Sequence, residues 1–218
     1  MSQTQFEILN CEWTDKTIFR NKLNGEKMKK QYITILTATT LALSLASCSH
    51  VSPRYNASAT NVEEIRQITK DISAKISTGE FTATEIGKKS IVCRAAGPVG
   101  PSDNKTFDQF IKDAIADEFK IAGIYDEKSN VKLKGNLDSI DFSSSIGAGK
   151  WMMKMTFSSQ EVEPFVVENT YSFSTNFIAD IACEQVSQAL PAATQDFIKK
   201  LIQHPSFRNI LTQKVAIN

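Results

Sequence analysis

The sequence predicts an α+β domain in which an antiparallel sheet of about four strands carries helices on one face. Three segments between residues 131 and 173 alternate apolar and polar side chains with the period of a β-strand. Apolar side chains at helical spacing precede and follow these segments. Because each strand has one apolar and one polar face, we expect two layers, with the helices covering the apolar face of the sheet.

A lipoprotein signal is predicted ahead of this domain, over residues 28–47. It opens with the cationic run Met28-Lys29-Lys30, continues through an apolar stretch, and ends in Leu45, Ala46, Ser47 and Cys48. In such signals the cysteine is acylated and the peptide bond before it is cut. We therefore expect Cys48 to be the first mature residue and to attach the protein to a membrane through its lipid.

The residue after this cysteine bears on the destination of the protein. Many Gram-negative lipoproteins are retained in the inner membrane by an aspartate at this position, whereas this chain has Ser49. We therefore expect the outer membrane, with the domain facing the periplasm.

Residues 1–27 do not fit this signal. A secretory signal begins with a short cationic segment, but Glu12, Asp15 and Glu26 are scattered through the leader. We interpret the leader as the product of a mis-assigned start codon; a genuine cytoplasmic extension is the alternative. The apolar stretch that follows is shorter than the roughly 20 residues that a membrane helix needs.

Size and charge indicate one domain without an affinity for nucleic acid. Residues 1–47 hold six basic and four acidic residues, which leaves a chain of 171 residues with 19 Lys and Arg and 20 Asp and Glu. That length can bury a substantial core. A net charge near −1 without a basic cluster argues against a nucleic-acid partner.

The four cysteines reduce to one pair once the signal is accepted. Cys11 lies in the leader and Cys48 carries the lipid, which leaves Cys93 and Cys183. In an oxidising periplasm these two are most simply a disulfide, worth roughly 4–5 kcal/mol in the chain-entropy model. Two buried free thiols are the alternative.

The first elements of the mature chain are a tether and a helix. Residues 48–60 mix Ser, Pro, Asn and Ala without apolar periodicity, which predicts a flexible tether before a single domain over residues 61–218. Asn61 and Glu64 form a capping-box pattern, and isoleucines at helical spacing follow until Gly79, where we expect the helix to end. One strand, or two, is predicted between Phe81 and Arg94.

The middle of the chain predicts a second helix and three strands. Thr106 and Gln109 form a capping box for a helix that should end at Gly123. In the first of the three strands the apolar positions change from odd to even numbers near Asp138 and Ser139, which predicts a β-bulge. Hairpin loops are expected at residues 143–149 and 158–164.

The C-terminal part has a helical pattern from residue 178 to residue 202, interrupted by Pro191. This proline either kinks one long helix or begins a second one, and we favour the kink. Ser206 is expected to cap a last short helix that ends at Leu211.

Candidate catalytic groups are sparse. The mature chain has two histidines, His50 in the predicted tether and His204 beside a proline at a helix end. Zinc catalysis and Ser-His-Asp hydrolysis both need a placed histidine, and the spacing of Asp138 and Asp141 fits no calcium loop. We therefore expect no enzyme activity, no cofactor and no metal.

Trp151 and Met152 are the candidate residues for an interaction surface, because methionine and aromatic side chains are common at adaptable protein interfaces. Trp151 also alternates correctly for the core, and a core position is the alternative for it. Met152 falls on the polar face of its strand, so we expect it to be exposed.

Several segments together resemble a known protein family: Cys93 to Pro98, Phe110 to Tyr125, Leu137 to Ser144, Trp151, Tyr171 to Phe173, and Ala182 to Gln185. They are similar to a family of small Gram-negative lipoproteins of unestablished role, related to the YajG-like lipoproteins. The resemblance implies a compact α+β domain in which the same two cysteines are paired. Glu184 differs from the asparagine expected in that family.

The sequence thus favours an outer-membrane-anchored periplasmic domain that acts as a non-enzymatic envelope accessory or protein-interaction module. Its expected partners are the membrane, through the lipid on Cys48, and an envelope protein. A binder of a lipid or another apolar ligand between sheet and helices is the second hypothesis. An enzyme acting on envelope polymers is the third.

Overall fold

The computed structural model describes residues 49–73 and 75–212, which form four α-helices and seven β-strands. None of these helices is both long and apolar enough to cross a bilayer. The elements are, in order, β1 (His50–Val51), α1 (Ala59–Thr69), β2 (Ser77–Ala83), β3 (Ile91–Val92), β4 (Pro98–Gly100), α2 (Phe107–Ala122), β5 (Lys132–Ser143), β6 (Gly149–Ser159), β7 (Val162–Phe173), α3 (Ala179–Gln203) and α4 (Pro205–Thr212).

The strands form two sheets, and the larger one confirms the predicted α+β class. Its four strands lie in the order β2-β5-β6-β7. The β5–β6 and β6–β7 pairs are antiparallel, but β2 pairs with β5 in parallel, so the sheet is mixed rather than purely antiparallel. The reason is the long crossover from β2 to β5 through α2, the kind of connection that parallel neighbours require. A small second sheet has the order β1-β4-β3.

The helices pack on the apolar face of the larger sheet, as predicted, and the core lies between the two layers. Alternate residues of β6 are buried, while those between them face away from the helices. The largest side chains that are fully buried include Phe107, Phe119, Trp151, Phe157, Phe197 and Phe207. The other face of the sheet is polar and has no helix of the described chain against it.

Helix α2 begins and ends where its sequence signals predict. The Gln109 side chain accepts a hydrogen bond from the Thr106 backbone N–H at 3.2 Å. Gly123 ends the helix with a φ of 83°, in the left-handed region where glycine is favoured. The register shift between Leu137 and Ser139 confirms the bulge in β5.

The prediction for α1 was wrong at both ends. The helix begins at Ala59, and Ser58 is its cap, accepting a bond from the Asn61 N–H at 3.3 Å. It ends at Thr69 and not at Gly79, which lies inside β2. The Asn61 side chain is buried instead and bonds to neighbouring helices, so it cannot serve as the cap.

The segment predicted as a flexible tether is packed against the domain from residue 50 onward, and we call residues 50–58 the N-terminal strap. His50 and Val51 pair with β4 as strand β1. The Ser52 N–H donates to the Gly100 carbonyl at 2.9 Å, and the rings of Tyr55 and Phe110 pack perpendicular to each other. The polar residues of this segment, which predicted a tether, instead form hydrogen bonds to the domain.

At the C-terminal end a single helix, α3, runs through Pro191, in agreement with the one-helix interpretation. Helix α4 starts at Pro205, one residue before the predicted cap. The Ser206 N–H donates a hydrogen bond to Nδ1 of His204 at 3.2 Å, so the cap of this helix is His204 and not Ser206.

The Phe81–Arg94 region contains two separate strands.

Candidate functional site

The residues predicted to carry the lipid and the signal, Leu45, Ala46, Ser47 and Cys48, lie outside the described part of the chain.

The predicted disulfide is confirmed: Cys93 and Cys183 are bonded, with their Cα atoms 5.8 Å apart, and both are fully buried. The bond joins the residue that follows β3 to the second turn of α3.

Trp151 is part of the core and not of an interaction surface. Its side chain is fully buried. The indole N–H donates to the Val186 carbonyl of α3 at 2.9 Å, and the ring lies 5.0 Å from that of Phe142 and 6.1 Å from that of Phe107, between centroids. Alternate side chains of β6 point toward the helices, and Trp151 is one of them.

Met152 points to the other side of the sheet and is 38% exposed, as predicted. Its cross-strand neighbours are Asp141 in β5 and Thr170 in β7. One step further along β6, Lys154 forms an ion pair with Glu168 at 2.7 Å. This hydrogen-bonded carboxylate raises the pKa of Lys154. Met152 is thus an apolar side chain within a polar surface, which we call the open face.

Hydrogen bonds between side chains order part of the open face. The Asn136 amide donates to Asp138 at 2.7 Å and its oxygen accepts from Thr82 at 2.9 Å. The other oxygen of Asp138 accepts from Thr156 at 2.7 Å. A shallow groove of about 240 Å³ lies beside this network, lined by Glu80, Thr82, Lys134, Gly135, Asn136, Thr156, Ser158 and Pro164. These hydrogen bonds hold the polar groups of this part of the face in place.

A buried carboxylate, Glu118, was not predicted. Its Oε1 accepts hydrogen bonds from the Tyr55 hydroxyl, from the Ser58 N–H at 3.2 Å and from the Asn61 amide at 3.1 Å. The same Asn61 amide donates to the Gln195 carbonyl of α3 at 2.9 Å. Glu118 therefore joins the strap, α1 and, through Asn61, α3.

Burial controls the protonation of this cluster. It raises the pKa of Glu118 above the ordinary value of 4.5, while the three hydrogen bonds to Oε1 oppose the shift. Burial and the neighbouring Glu118 charge also raise the pKa of Tyr55. A sequence signal existed, because Glu118 lies three and four positions after Ile115 and Ala114 on the apolar stripe of α2.

His50 was assigned to a flexible tether, but it is only 7% exposed. One ring nitrogen lies 3.2 Å from the Ala96 carbonyl and 3.5 Å from a carboxylate oxygen of Asp180, and the other lies 3.4 Å from Glu184. His50 thus fastens the start of the strap to the first turns of α3. His204, the other histidine, stacks on Phe165 with ring centroids 4.4 Å apart.

Two loops and the start of α3 form one end of the domain. The Arg94 guanidinium bonds to the carbonyl and hydroxyl of Ser144 and, at 3.1 Å, to the Phe177 carbonyl.

Within residues 49–73 and 75–212, no group of three or more His, Cys, Asp or Glu side chains is arranged to hold a metal ion.

Comparisons with known proteins give weak structural likenesses. No family model and no curated protein matches the sequence. A crystal structure of protein XCC0632 from Xanthomonas campestris, described by the family model DUF330, is similar with a TM-score of 0.43 and 11% identity, covering 72% of this chain and 95% of that one. A crystal structure of an uncharacterised protein has a TM-score of 0.38 and 6% identity, covering 71% and 99%. Neither likeness assigns this chain a family or an activity.

Proposed function

We propose that this protein is a lipoprotein, attached to the outer membrane through Cys48, whose periplasmic domain is a non-enzymatic module that binds an envelope protein. The signal at residues 28–47 supports the attachment, since it combines a cationic start, an apolar stretch and a small-residue cleavage motif. The open face supports the binding role.

The observation that carries the proposal is the exposure of Met152 on this face. The described helices cover only the opposite side of the sheet. Methionine is flexible and polarisable, and a partly exposed methionine can adapt to different partner side chains. Asp141 and Thr170 directly across from it, and the ion pair of Lys154 with Glu168 next along the strand, provide polar groups beside it. An apolar centre with a polar rim is the usual composition of a protein interface.

The buried ionisable groups support a non-enzymatic role, because each of them makes contacts that hold parts of the fold together. Glu118 joins the strap to the helices, His50 fastens the strap to α3, and His204 caps α4. Each of these groups contacts other elements of the fold, so each acts as a structural contact in this proposal.

The space between sheet and helices favours a protein partner over an apolar ligand. Phe107, Phe157 and Phe197 are fully buried there and pack against other aromatic rings. An apolar ligand in that position would have to displace these side chains, which protein cores resist because they are close-packed.

Site-specific crosslinking in intact cells tests the binding role. A photoreactive amino acid replaces Met152 in one strain and Lys199, an exposed residue of α3 in the helical layer, in a control strain. We expect a discrete protein adduct at position 152, several-fold more abundant than any adduct at position 199. The same adducts at both positions, or none at position 152, would contradict the proposal.

A further inference from the structure

Four exposed apolar side chains lie together at one end of the domain, and we call them the apolar tip. Phe177 is 75% exposed, Ile146 66%, Ile178 55% and Ile181 41%. Ile146 belongs to the β5–β6 loop, and the other three lie just before or within the first turn of α3. Single exposed apolar residues are ordinary, but a group of them at one place marks an interaction surface.

Hydrogen bonds hold the two parts of the tip beside each other. The Gly147 N–H donates to the Thr175 carbonyl at 3.2 Å, and the Thr175 hydroxyl donates to the Ser145 carbonyl. Arg94 bridges Ser144 and the Phe177 carbonyl. These bonds place Ile146 next to the Phe177 segment.

The segment before α3 is also fixed along its own length. The Asn176 N–H donates to the Gln185 side chain at 2.7 Å, and the Ile178 N–H donates to the Asn176 side chain at 2.9 Å. The disulfide of Cys183 holds the next turn of the helix. The apolar side chains are therefore presented to solvent by an ordered backbone.

The contacts of His50 at the start of the strap indicate what covers the tip. His50 contacts Asp180, which lies between Ile178 and Ile181 in the sequence, and it also contacts Glu184 one turn later. Cys48 precedes His50 by two residues, a span of at most about 7 Å even when fully extended. A lipid on the Cys48 thiol would therefore start close to the first turn of α3.

We propose that the apolar tip rests on the lipid bilayer, with its side chains at the level of the headgroups. This inference depends on the proposed lipid attachment at Cys48. Side chains of this type insert about 5–10 Å into the boundary between headgroups and acyl chains. Asp180 and Glu184 beside the tip are offset in part by Arg94, so the tip has no basic cluster that would require an anionic lipid.

Tryptophan quenching by brominated lipids tests this contact in the complete lipoprotein. The protein is produced with its signal, its acylation is verified by mass, and it is reconstituted into vesicles of phosphatidylethanolamine and brominated phosphatidylcholine. The test variant is Phe177→Trp. The matched control is Ile121→Trp, at a position that is 55% exposed near the end of α2. The Ile124 carbonyl, three residues later, accepts a bond from the Ile76 N–H just before β2. The first residue of β2 pairs with Lys132 at the start of β5, whereas the tip lies beyond the other end of that strand.

After subtraction of the wild-type signal, we expect several-fold stronger quenching for Phe177→Trp than for Ile121→Trp, with a blue-shifted emission. Ile181→Trp should behave like Phe177→Trp, and it provides the second reading if the first variant unfolds. Equal quenching of the tip and control variants in acylated protein overturns the membrane contact and leaves the anchor intact.

Two further outcomes are separable from that one. Protein without an acyl mass at Cys48 overturns the anchor and, with it, the membrane contact. A discrete protein adduct from a photoreactive group at position 177 in cells, together with unquenched Trp variants, overturns the lipid contact and assigns the tip to a protein.

Discussion

At the scale of single residues, Glu118 connects several elements of the fold through hydrogen bonds that the sequence did not predict. One of its oxygens accepts three hydrogen bonds from the strap and α1, whereas Oε2 has no partner within the described residues. A buried carboxylate oxygen without a partner is costly when the group is charged. Glu118 therefore stabilises the packing of the strap most when it is protonated.

The pH dependence of stability tests this assignment. Because burial raises the pKa of Glu118 in the folded state, its contribution is fully present below about 4.5 and is lost as the pH rises through the raised value. We expect the free energy of unfolding, measured with urea between pH 4.5 and 8, to fall more steeply with pH in the wild type than in Glu118→Gln. Parallel pH profiles for the two proteins would be inconsistent with a buried, titrating Glu118.

Which residues could be predicted depended on the sequence distance between partners. The Thr106 and Gln109 cap involves positions three apart and was found from the pattern alone. Met152 was placed correctly by the alternation of β6. The contacts of Glu118 with Tyr55 and of His50 with Glu184 join residues 63 and 134 positions apart, and only the tertiary fold brings them together.

At the scale of elements, the disulfide fixes the junction of the small sheet with α3. Cys93 follows β3 directly, and Cys183 lies in the second turn of α3, beside the residues that contact His50. The bond thus closes a loop that contains α2 and the three long strands of the main sheet. Constraining such a loop in the unfolded chain should contribute strongly to stability.

Removal of this bond has a measurable expected effect. The double variant Cys93→Ala/Cys183→Ala should lose roughly 2–5 kcal/mol of unfolding free energy in urea denaturation. The reduced wild type is the matched control and should lose a similar amount. If reduction left the urea midpoint of the wild type unchanged, the disulfide would not be a stabilising contact of the folded protein.

The elements themselves were predictable where the pattern was long and periodic. The three strands from residue 132 to residue 173 and the helices α2 and α3 followed from hydrophobic spacing. The prediction was wrong for the strap because its two-residue strand is too short to show a period. The strap is held in place by contacts with β4 and α3, which are distant in sequence. The parallel pairing of β2 with β5 depends on the path of the crossover, which periodicity does not reveal.

At the scale of the whole molecule, the proposed anchor, the strap and the apolar tip belong to one arrangement. The strap begins two residues after Cys48 and is fastened at His50 to the helix that carries the tip. The domain would then lie directly on the membrane rather than on a long flexible leash. The open face around Met152 is a separate surface of the same domain and remains available for a protein partner.

The mass of the mature N-terminal peptide tests the proposed lipid attachment at Cys48 most directly. The protein is isolated from the membrane fraction of a Gram-negative host, digested, and analysed for its first peptide. We expect a peptide that begins at Cys48 and carries the mass of a thioether-linked diacylglycerol, with an N-terminal acyl chain. An unmodified peptide that continues through residues 45–48, or a mature protein that begins elsewhere, would contradict it.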